Sequence, residues 1–122
     1  MEKNISILIV DDNLNFTNRM VGLLEELDNI DCIKVAANYD EALIKINENK
    51  PDFVLLDINL PGKNGIEILR AIKQNKWDCE VIMITNHSND YYRYQCLDLG
   101  VTHFLDKTND FGLVAGIISK RA

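Results

Sequence analysis

The sequence lacks the features that mark several classes of protein. Its three cysteines show no metal-ligand spacing, which favours reduced thiols over a zinc site or a disulfide framework. It has no run of Lys or Arg and a formal net charge of −6, so we expect no direct binding of nucleic acid, because phosphate contacts need clustered cations. No stretch approaches the ~20 apolar residues of a membrane span, and the N-terminus has no signal-peptide cleavage pattern. These absences predict a cytoplasmic protein with no membrane partner.

The composition fits one compact domain. The 122 residues are 47% apolar and 26% charged, which is the balance of a globular protein rather than a disordered one. The chain shows no repeat, linker or low-complexity segment. We therefore predict a single domain over residues 1–122.

Apolar runs alternate along the chain with stretches of helical periodicity. The predicted strands are Ser6–Val10, Cys32–Ala37, Phe53–Leu56, Glu80–Thr85 and Thr102–Leu105. Helical segments follow them at Phe16–Leu27, Ala42–Ile46 (capped by Asn38), Ile66–Ile72, Asn89–Leu99 (closed by Gly100) and Phe111–Ile118. Five alternations predict an α/β fold, a doubly wound parallel sheet with helices on both faces. An α+β fold is the alternative, but no hairpin turn signal separates two strands.

Polar residues follow these strands at the edge where an open parallel sheet binds its ligands. Asp11 and Asp12 end the first strand, Asp57 the third and Thr85 the fourth, and Lys107 lies just past the fifth. Each has a plainer explanation when taken singly. Either Asp11 or Asp12, or the asparagine after them, caps the first helix, and the others are a loop acid, a strand-end residue and a surface charge. Their collection at this one edge of the sheet, called the rim below, favours a functional site.

Three carboxylates on one rim create an electrostatic problem. Two unit charges ~5 Å apart at an effective dielectric of ~20 repel by about 3 kcal/mol, so the acids raise one another's pKa values or recruit a cation. Mg²⁺ is the usual choice where carboxylates share a cation with a phosphate. A carboxylate then attacks phosphorus, while Lys107 and the Thr85 hydroxyl hold the remaining phosphoryl oxygens.

Four motifs together carry a family resemblance. They are VDDN after the first strand, LLDINLPGKNG around Asp57, IMIT ending at Thr85 and FLDK ending at Lys107. In this order and spacing they resemble the receiver domains of bacterial two-component response regulators, over essentially the whole chain. The resemblance implies a flavodoxin-like domain with strand order 2-1-3-4-5 and five helices. It also implies a signalling phosphoprotein, rather than an enzyme with a substrate of its own.

The resemblance gives the catalytic and switch residues their expected roles. Asp57 is the phosphoacceptor and takes its phosphoryl group from a histidine kinase or a phosphotransfer protein. Thr85 and Lys107 bind the transferred group. Phe104 is the aromatic that changes rotamer when Thr85 moves toward the phosphate, although a plain core aromatic is the alternative for this residue.

The expected metal site also follows from the resemblance. Asp12 binds Mg²⁺ directly, Asp57 and the backbone carbonyl of Asn59 are further ligands, and Asp11 assists through water.

Three residues near the rim are expected to tune the lifetime of the phosphate. Asn59 and His87 flank the expected path of the attacking water, and Asn86 stands where the family usually has a small residue. Thr108 is a second departure, because a proline commonly follows the lysine in this family. The geometry of the Lys107–Thr108 peptide bond is open, since a non-proline cis bond costs about 2.5–4 kcal/mol.

The expected output surface is the face formed by the fourth helix, fifth strand and fifth helix, where this family commonly contacts a partner or a second copy. The fourth helix carries Tyr91, Tyr92 and Tyr94. At 100° per residue they cannot all face the sheet, so at least one should be exposed.

Two other functions share part of this pattern. A Mg²⁺-dependent phosphatase of the haloacid dehalogenase type also uses an aspartyl nucleophile, but it needs a second Asp where this chain has Asn59. A pseudo-receiver has the fold without phosphotransfer, and the complete set of acids, Thr85 and Lys107 argues against it.

Overall fold

Strands and helices alternate in the computed structural model, which describes residues 4–86 and 90–121. The strands are β1 (Ile5–Val10), β2 (Ile30–Ala36), β3 (Phe53–Leu56), β4 (Glu80–Thr85) and β5 (His103–Asp106). The helices are α1 (Leu14–Leu24), α2 (Tyr39–Asn49), α3 (Gly65–Gln74), α4 (Asp90–Asp98) and α5 (Leu113–Arg121). Among the described residues, no helix is long and apolar enough to cross a membrane.

The five strands form one parallel sheet in the order β2-β1-β3-β4-β5. The predicted doubly wound α/β fold and its strand order are therefore confirmed. The central strands β1, β3 and β4 are almost continuously apolar because helices cover both of their faces. One face packs against α2, α3 and α4, and the other packs against α1 and α5.

Asparagine side chains begin the first three helices. Asn13, Asn38 and Asn64 each accept a hydrogen bond from a backbone N–H of the first turn, at 3.0–3.1 Å. Capping by Asp11 or Asp12 is therefore wrong. The Asp11 carboxylate instead accepts from the Asn13 N–H at 2.9 Å, which fixes the turn between β1 and α1.

Several predicted boundaries differ from the structure. Strand β2 begins at Ile30 and ends at Ala36, and Phe111 lies in the turn before α5 rather than inside it. The predicted start of the fourth helix, Asn89, lies outside the described residues. Gly100 ends that helix as predicted, with a φ of 95° that an L side chain rarely adopts. The three cysteines are free thiols.

Candidate functional site

The carboxyl ends of the strands bring the predicted rim residues together. The Asp57 N–H donates to the Val10 carbonyl at 3.1 Å, and the Lys107 N–H donates to the Thr85 carbonyl at 3.1 Å. These bonds continue the pairing of β1 with β3 and of β4 with β5 up to the rim. The sheet therefore fixes the backbone of the site residues, which favours a preorganised site.

Two buried carboxylates share one ammonium at the centre of the rim. Lys107 Nζ lies 2.7 Å from Asp11 Oδ2 and 3.2 Å from Asp57 Oδ2. Asp11 is 2% exposed and Asp57 is 5% exposed. At this burial the attraction is weakly screened, and the loss of any one partner would leave a buried charge uncompensated.

Burial and the shared ion pair shift the pKa values of Asp11 and Lys107. Burial raises the pKa of the Asp11 carboxyl, although the Lys107 ammonium and the Asn13 N–H act in the opposite direction. Burial alone would lower the pKa of Lys107, but the Asp11 and Asp57 carboxylates outweigh it and hold that pKa above its ordinary value. Lys107 therefore stays charged at neutral pH, while burial disfavours the charged form of Asp11.

Carboxylate oxygens of the rim remain without a directed hydrogen bond. Among the described residues, Asp57 Oδ1 has no hydrogen-bond partner. Asp11 Oδ2 has no hydrogen-bond partner among them either, although it forms the ion pair with Lys107 at 2.7 Å. A buried polar atom of this kind is costly unless something else satisfies it.

The arrangement of the acids fits a divalent cation. Ligand atoms of Asp11, Asp12 and Asp57 all lie within 4.8 Å of one another, and Asp12 is exposed. Three carboxylates and one ammonium leave two negative charges, which a divalent cation would neutralise. Oxygen ligands suit a hard cation such as Mg²⁺, which keeps several of its waters.

Gly65 lets helix α3 begin directly against the backbone of Asp57 and Ile58, which follow strand β3. Its N–H donates to the Ile58 carbonyl at 2.8 Å, and a Cβ at this position would lie 2.0 Å from the Asp57 carbonyl oxygen. Only glycine fits there. From the sequence, Gly65 was only the last residue of the motif LLDINLPGKNG, and its place in the asparagine–glycine pair was the available signal.

Two further carboxylates, those of Asp106 and Asp110, hold the turn that carries Lys107. Asp106 Oδ2 accepts from the Thr108 and Asn109 N–H groups at 3.0 and 2.8 Å, and the Asp106 N–H donates to Asp110 Oδ2 at 2.9 Å. Sequence reasoning did not identify this role for Asp106, whose only signal is its place in the FLDK motif.

The remaining predicted residues occupy different surroundings. Phe104 is 8% exposed and its ring packs in the core between the sheet and α3 and α4. Asn59 and Asn86 are exposed near the rim, and Asn86 lines a cleft of about 230 Å³ beside Lys107. His87 lies outside the described residues. No described peptide bond is cis, so the bond after Lys107 is trans.

The fold and the rim define an open α/β protein with a carboxylate and lysine site at the carboxyl edge of its sheet. The sequence matches the family model described as response regulator receiver domain over residues 7–118. The chain belongs to this family, whose standard function is phosphoryl transfer in two-component signalling.

Named relatives agree with this assignment. The chain is 38% identical, over 109 residues, to a protein-glutamate methylesterase/protein-glutamine glutaminase of Clostridium acetobutylicum, covering 88% of this chain and 31% of that protein. The chain thus spans about a third of that relative's length. It superposes on the CheX-CheY-BeF3-Mg+2 complex of Borrelia burgdorferi with a TM-score of 0.87 and 28% identity, covering 98% of this chain and 91% of that one. It superposes on the Mn(2+)-bound response regulator Rcp1 with a TM-score of 0.83 and 29% identity, covering 94% and 92%.

Proposed function

We propose that this chain accepts a phosphoryl group on Asp57 in a reaction that Mg²⁺ assists. The surroundings of the Asp57 carboxylate support the proposal most strongly. It is buried, its Oδ2 lies 3.2 Å from the Lys107 ammonium, and its Oδ1 accepts no hydrogen bond from the described residues. A buried, incompletely satisfied carboxylate is costly, so its presence at a ligand-binding edge favours a chemical role.

In the proposed reaction a carboxylate oxygen of Asp57 attacks the phosphorus of a phosphohistidine on a histidine kinase or a phosphotransfer protein. The O–P bond forms as the N–P bond breaks, and the electron pair of the broken bond stays on the imidazole nitrogen. The charged Lys107 is already beside Asp57 and would bind an oxygen of the transferred group. The Thr85 side chain, buried at the end of β4, would bind another.

Asp12, Asp57 and the Asn59 carbonyl are the proposed direct ligands of Mg²⁺, with Asp11 acting through a water. When bound, the cation neutralises phosphoryl oxygens and so lowers the barrier to attack by an anionic carboxylate. Two of the structures on which the chain superposes are Mn²⁺-bound or Mg²⁺-containing, which supports the choice of ion. The ion pair between Asp11 and Lys107 would hold the lysine in position throughout.

Labelling with a radioactive phosphodonor tests the proposal. We expect the wild-type chain to take up label in Mg²⁺ and to take up none when EDTA replaces the metal. The label should be released by hydroxylamine, as an acyl phosphate is. The variant Asp57→Asn, which keeps the size of the side chain, should carry no stable label.

Asp78→Asn is the matched control. Asp78 is exposed in the loop before β4, at the opposite end of the sheet from the rim, so its loss should leave labelling unchanged. Label that persists in Asp57→Asn at the wild-type level would place the acceptor elsewhere. Release of free phosphate from small monoesters at high turnover would favour the phosphatase alternative, and no labelling at all would favour a pseudo-receiver.

The lifetime of the phosphate is proposed to depend on Asn59, Asn86 and His87. Asn59 and Asn86 are exposed near the rim, where they can contact an incoming water. Alanine at each position should change the rate of dephosphorylation without abolishing labelling. Unchanged hydrolysis in all three variants would remove them from this role.

We propose that the α4–β5–α5 face transmits the phosphorylated state to a partner or a second copy. Four large apolar side chains stand exposed on α4 and α5: Tyr91, Tyr94, Leu97 and Leu113, at 71%, 66%, 43% and 54%. The prediction that at least one tyrosine is exposed is thus confirmed, while Tyr92 packs against the core. Tyr is enriched where proteins meet.

Beryllofluoride with Mg²⁺, a stable phosphoryl analogue, tests this surface. It should raise the apparent mass or the affinity for a partner, and Tyr94→Ala should weaken that effect without unfolding the chain. If the analogue changes neither quantity, nor the exchange rates of α4 amides, the output lies on another face.

A further inference from the structure

A stack of cationic and aromatic side chains leads away from Lys107. The Lys107 ammonium lies 4.6 Å from the centroid of the Phe16 ring. The Phe16 ring meets the Phe111 ring edge-on, with centroids 5.8 Å apart and an interplanar angle of 86°. The Arg19 guanidinium then lies 4.6 Å from the Phe111 centroid. Helix α1 and the β5–α5 turn therefore each contribute one cation and one ring.

The face of an aromatic ring attracts a cation because its π electrons carry negative charge. The attraction is stronger where water is excluded, and both partners are covered here. Phe16 is 5% exposed and the Lys107 side chain is 10% exposed. The same ammonium contacts Asp11 and Asp57, so it is bound by two carboxylates and one ring.

The ring supplies something that the carboxylates do not. A lysine side chain has a flexible stem with many rotamers, and ordering it in one of them costs conformational entropy. Ion pairs fix the separation of the charges more than their direction. A buried ring that is itself braced by Phe111 adds a fixed surface against which the ammonium rests.

We propose that Phe16 is a positioning residue for phosphoryl transfer, because its ring holds the Lys107 ammonium at the rim where the phosphoryl group arrives. The inference rests on the proposed phosphorylation of Asp57. From the sequence, Phe16 was only an apolar residue at helical spacing. The structure adds a second role to its place in the core.

Substitutions at Phe16 separate the ring from the volume that it fills. Phe16→Leu keeps an apolar side chain but removes the π face, and we expect the maximal labelling rate at saturating donor and Mg²⁺ to fall about two- to thirtyfold. The donor concentration at half-maximal rate should stay the same, since Lys107 acts on the transferred group. Phe16→Tyr keeps the ring and should restore the rate.

Met20→Ala is the matched control for lost core packing. Met20 is fully buried on the same helix and takes no part in the ion pairs or the ring contact of Lys107. It should lower stability while leaving the maximal labelling rate at the wild-type value. An equal loss of rate in Met20→Ala and Phe16→Leu would overturn the proposal, because general destabilisation would then explain both.

Nuclear magnetic resonance of the unphosphorylated chain gives an independent readout. A ring face over the lysine terminus should shift the Lys107 ε-methylene protons upfield of those of the other lysines. The shift should vanish in Phe16→Leu and persist in Met20→Ala. Absence of the shift in the wild type, or a wild-type maximal rate in Phe16→Leu, would overturn the proposal. Neither result would affect the assignment of Asp57, which the labelling of Asp57→Asn tests separately.

Discussion

Asp11 and Asp57 compete for a single ammonium. Both carboxylates are buried and both lie within 3.2 Å of Lys107, yet burial still raises the pKa of Asp11. The crowding of acids could be predicted from the sequence, because each acid follows a parallel strand. The sharing of one lysine by two acids could not, since it depends on the rotamers of three side chains. This shared ion pair explains why the rim suits a divalent cation.

Gly65 is the residue whose replacement should most directly disturb the backbone of Asp57 and Ile58. In Gly65→Ala the new methyl group would meet the Asp57 carbonyl oxygen at 2.0 Å, so backbone must shift. We expect the free energy of unfolding to fall by about 1–3 kcal/mol and labelling to slow. Urea denaturation and labelling rates measure the two effects.

Gly22→Ala is the contrasting variant. Gly22 lies inside α1 with nothing within 4 Å of its Cβ position, so alanine there should stabilise the chain by about 0.5–1 kcal/mol. If Gly65→Ala and Gly22→Ala change stability and the labelling rate alike, the close approach of α3 to Asp57 is not the cause of the loss in Gly65→Ala.

Among the elements, strands β3 and β4 could be predicted to the residue, whereas the bounds of β1 and of the edge strands β2 and β5 were displaced by one or two residues. The predicted bounds of β3 and β4 match the structure because both strands are unbroken apolar runs buried on both faces. Strand β2 is an edge strand with exposed Asp31 and Lys34, so its pattern is weaker and its bounds shifted. Phe111 was predicted within the final helix from its apolar spacing, whereas in the structure it precedes α5 and packs against the same core.

Asn64 should affect both stability and labelling, because it caps α3, the helix that begins beside Asp57. Its Oδ1 accepts from the Ile66 and Glu67 N–H groups at 3.0 and 3.2 Å. We expect Asn64→Ala to lower the free energy of unfolding by about 1 kcal/mol and also to slow labelling. Asn38→Ala removes the cap of α2, which follows the edge strand, and should cost similar stability at an unchanged labelling rate. Equal labelling rates in Asn64→Ala and Asn38→Ala would show that the cap of α3 has no particular role in labelling.

Across the whole molecule, topology assembles the site from residues far apart in sequence. The parallel order of the strands was enough to predict that Asp11, Asp57, Thr85 and Lys107 share one edge. The contact of Phe16 with Lys107 was not predictable, because it joins residues far apart in the sequence. Asp106 acts locally, on the N–H groups two and three residues further on, which is a common role of Asp in a turn.

Metal binding should stabilise the whole fold. If Mg²⁺ binds only the folded chain, stability should rise by about 1.4 kcal/mol for each tenfold increase in free Mg²⁺ above the dissociation constant. Asp12→Asn should abolish most of this gain. In EDTA the same variant should be slightly more stable than the wild type, because one of three mutually repelling carboxylates is gone. Urea denaturation at constant ionic strength measures the stability of both proteins in Mg²⁺ and in EDTA. An equal increase in stability with Mg²⁺ in the wild type and in Asp12→Asn would contradict the assignment of Asp12 as a metal ligand.

The most direct test of the account is to map the phosphorylated residue. The chain is labelled in Mg²⁺ and then reduced with borohydride, which converts an aspartyl phosphate to homoserine, and the position is read by peptide mass spectrometry. We expect homoserine at position 57 only, and only in samples that received both phosphodonor and Mg²⁺. Homoserine at Asp11, Asp12 or another acid, or none despite retained label, would contradict it.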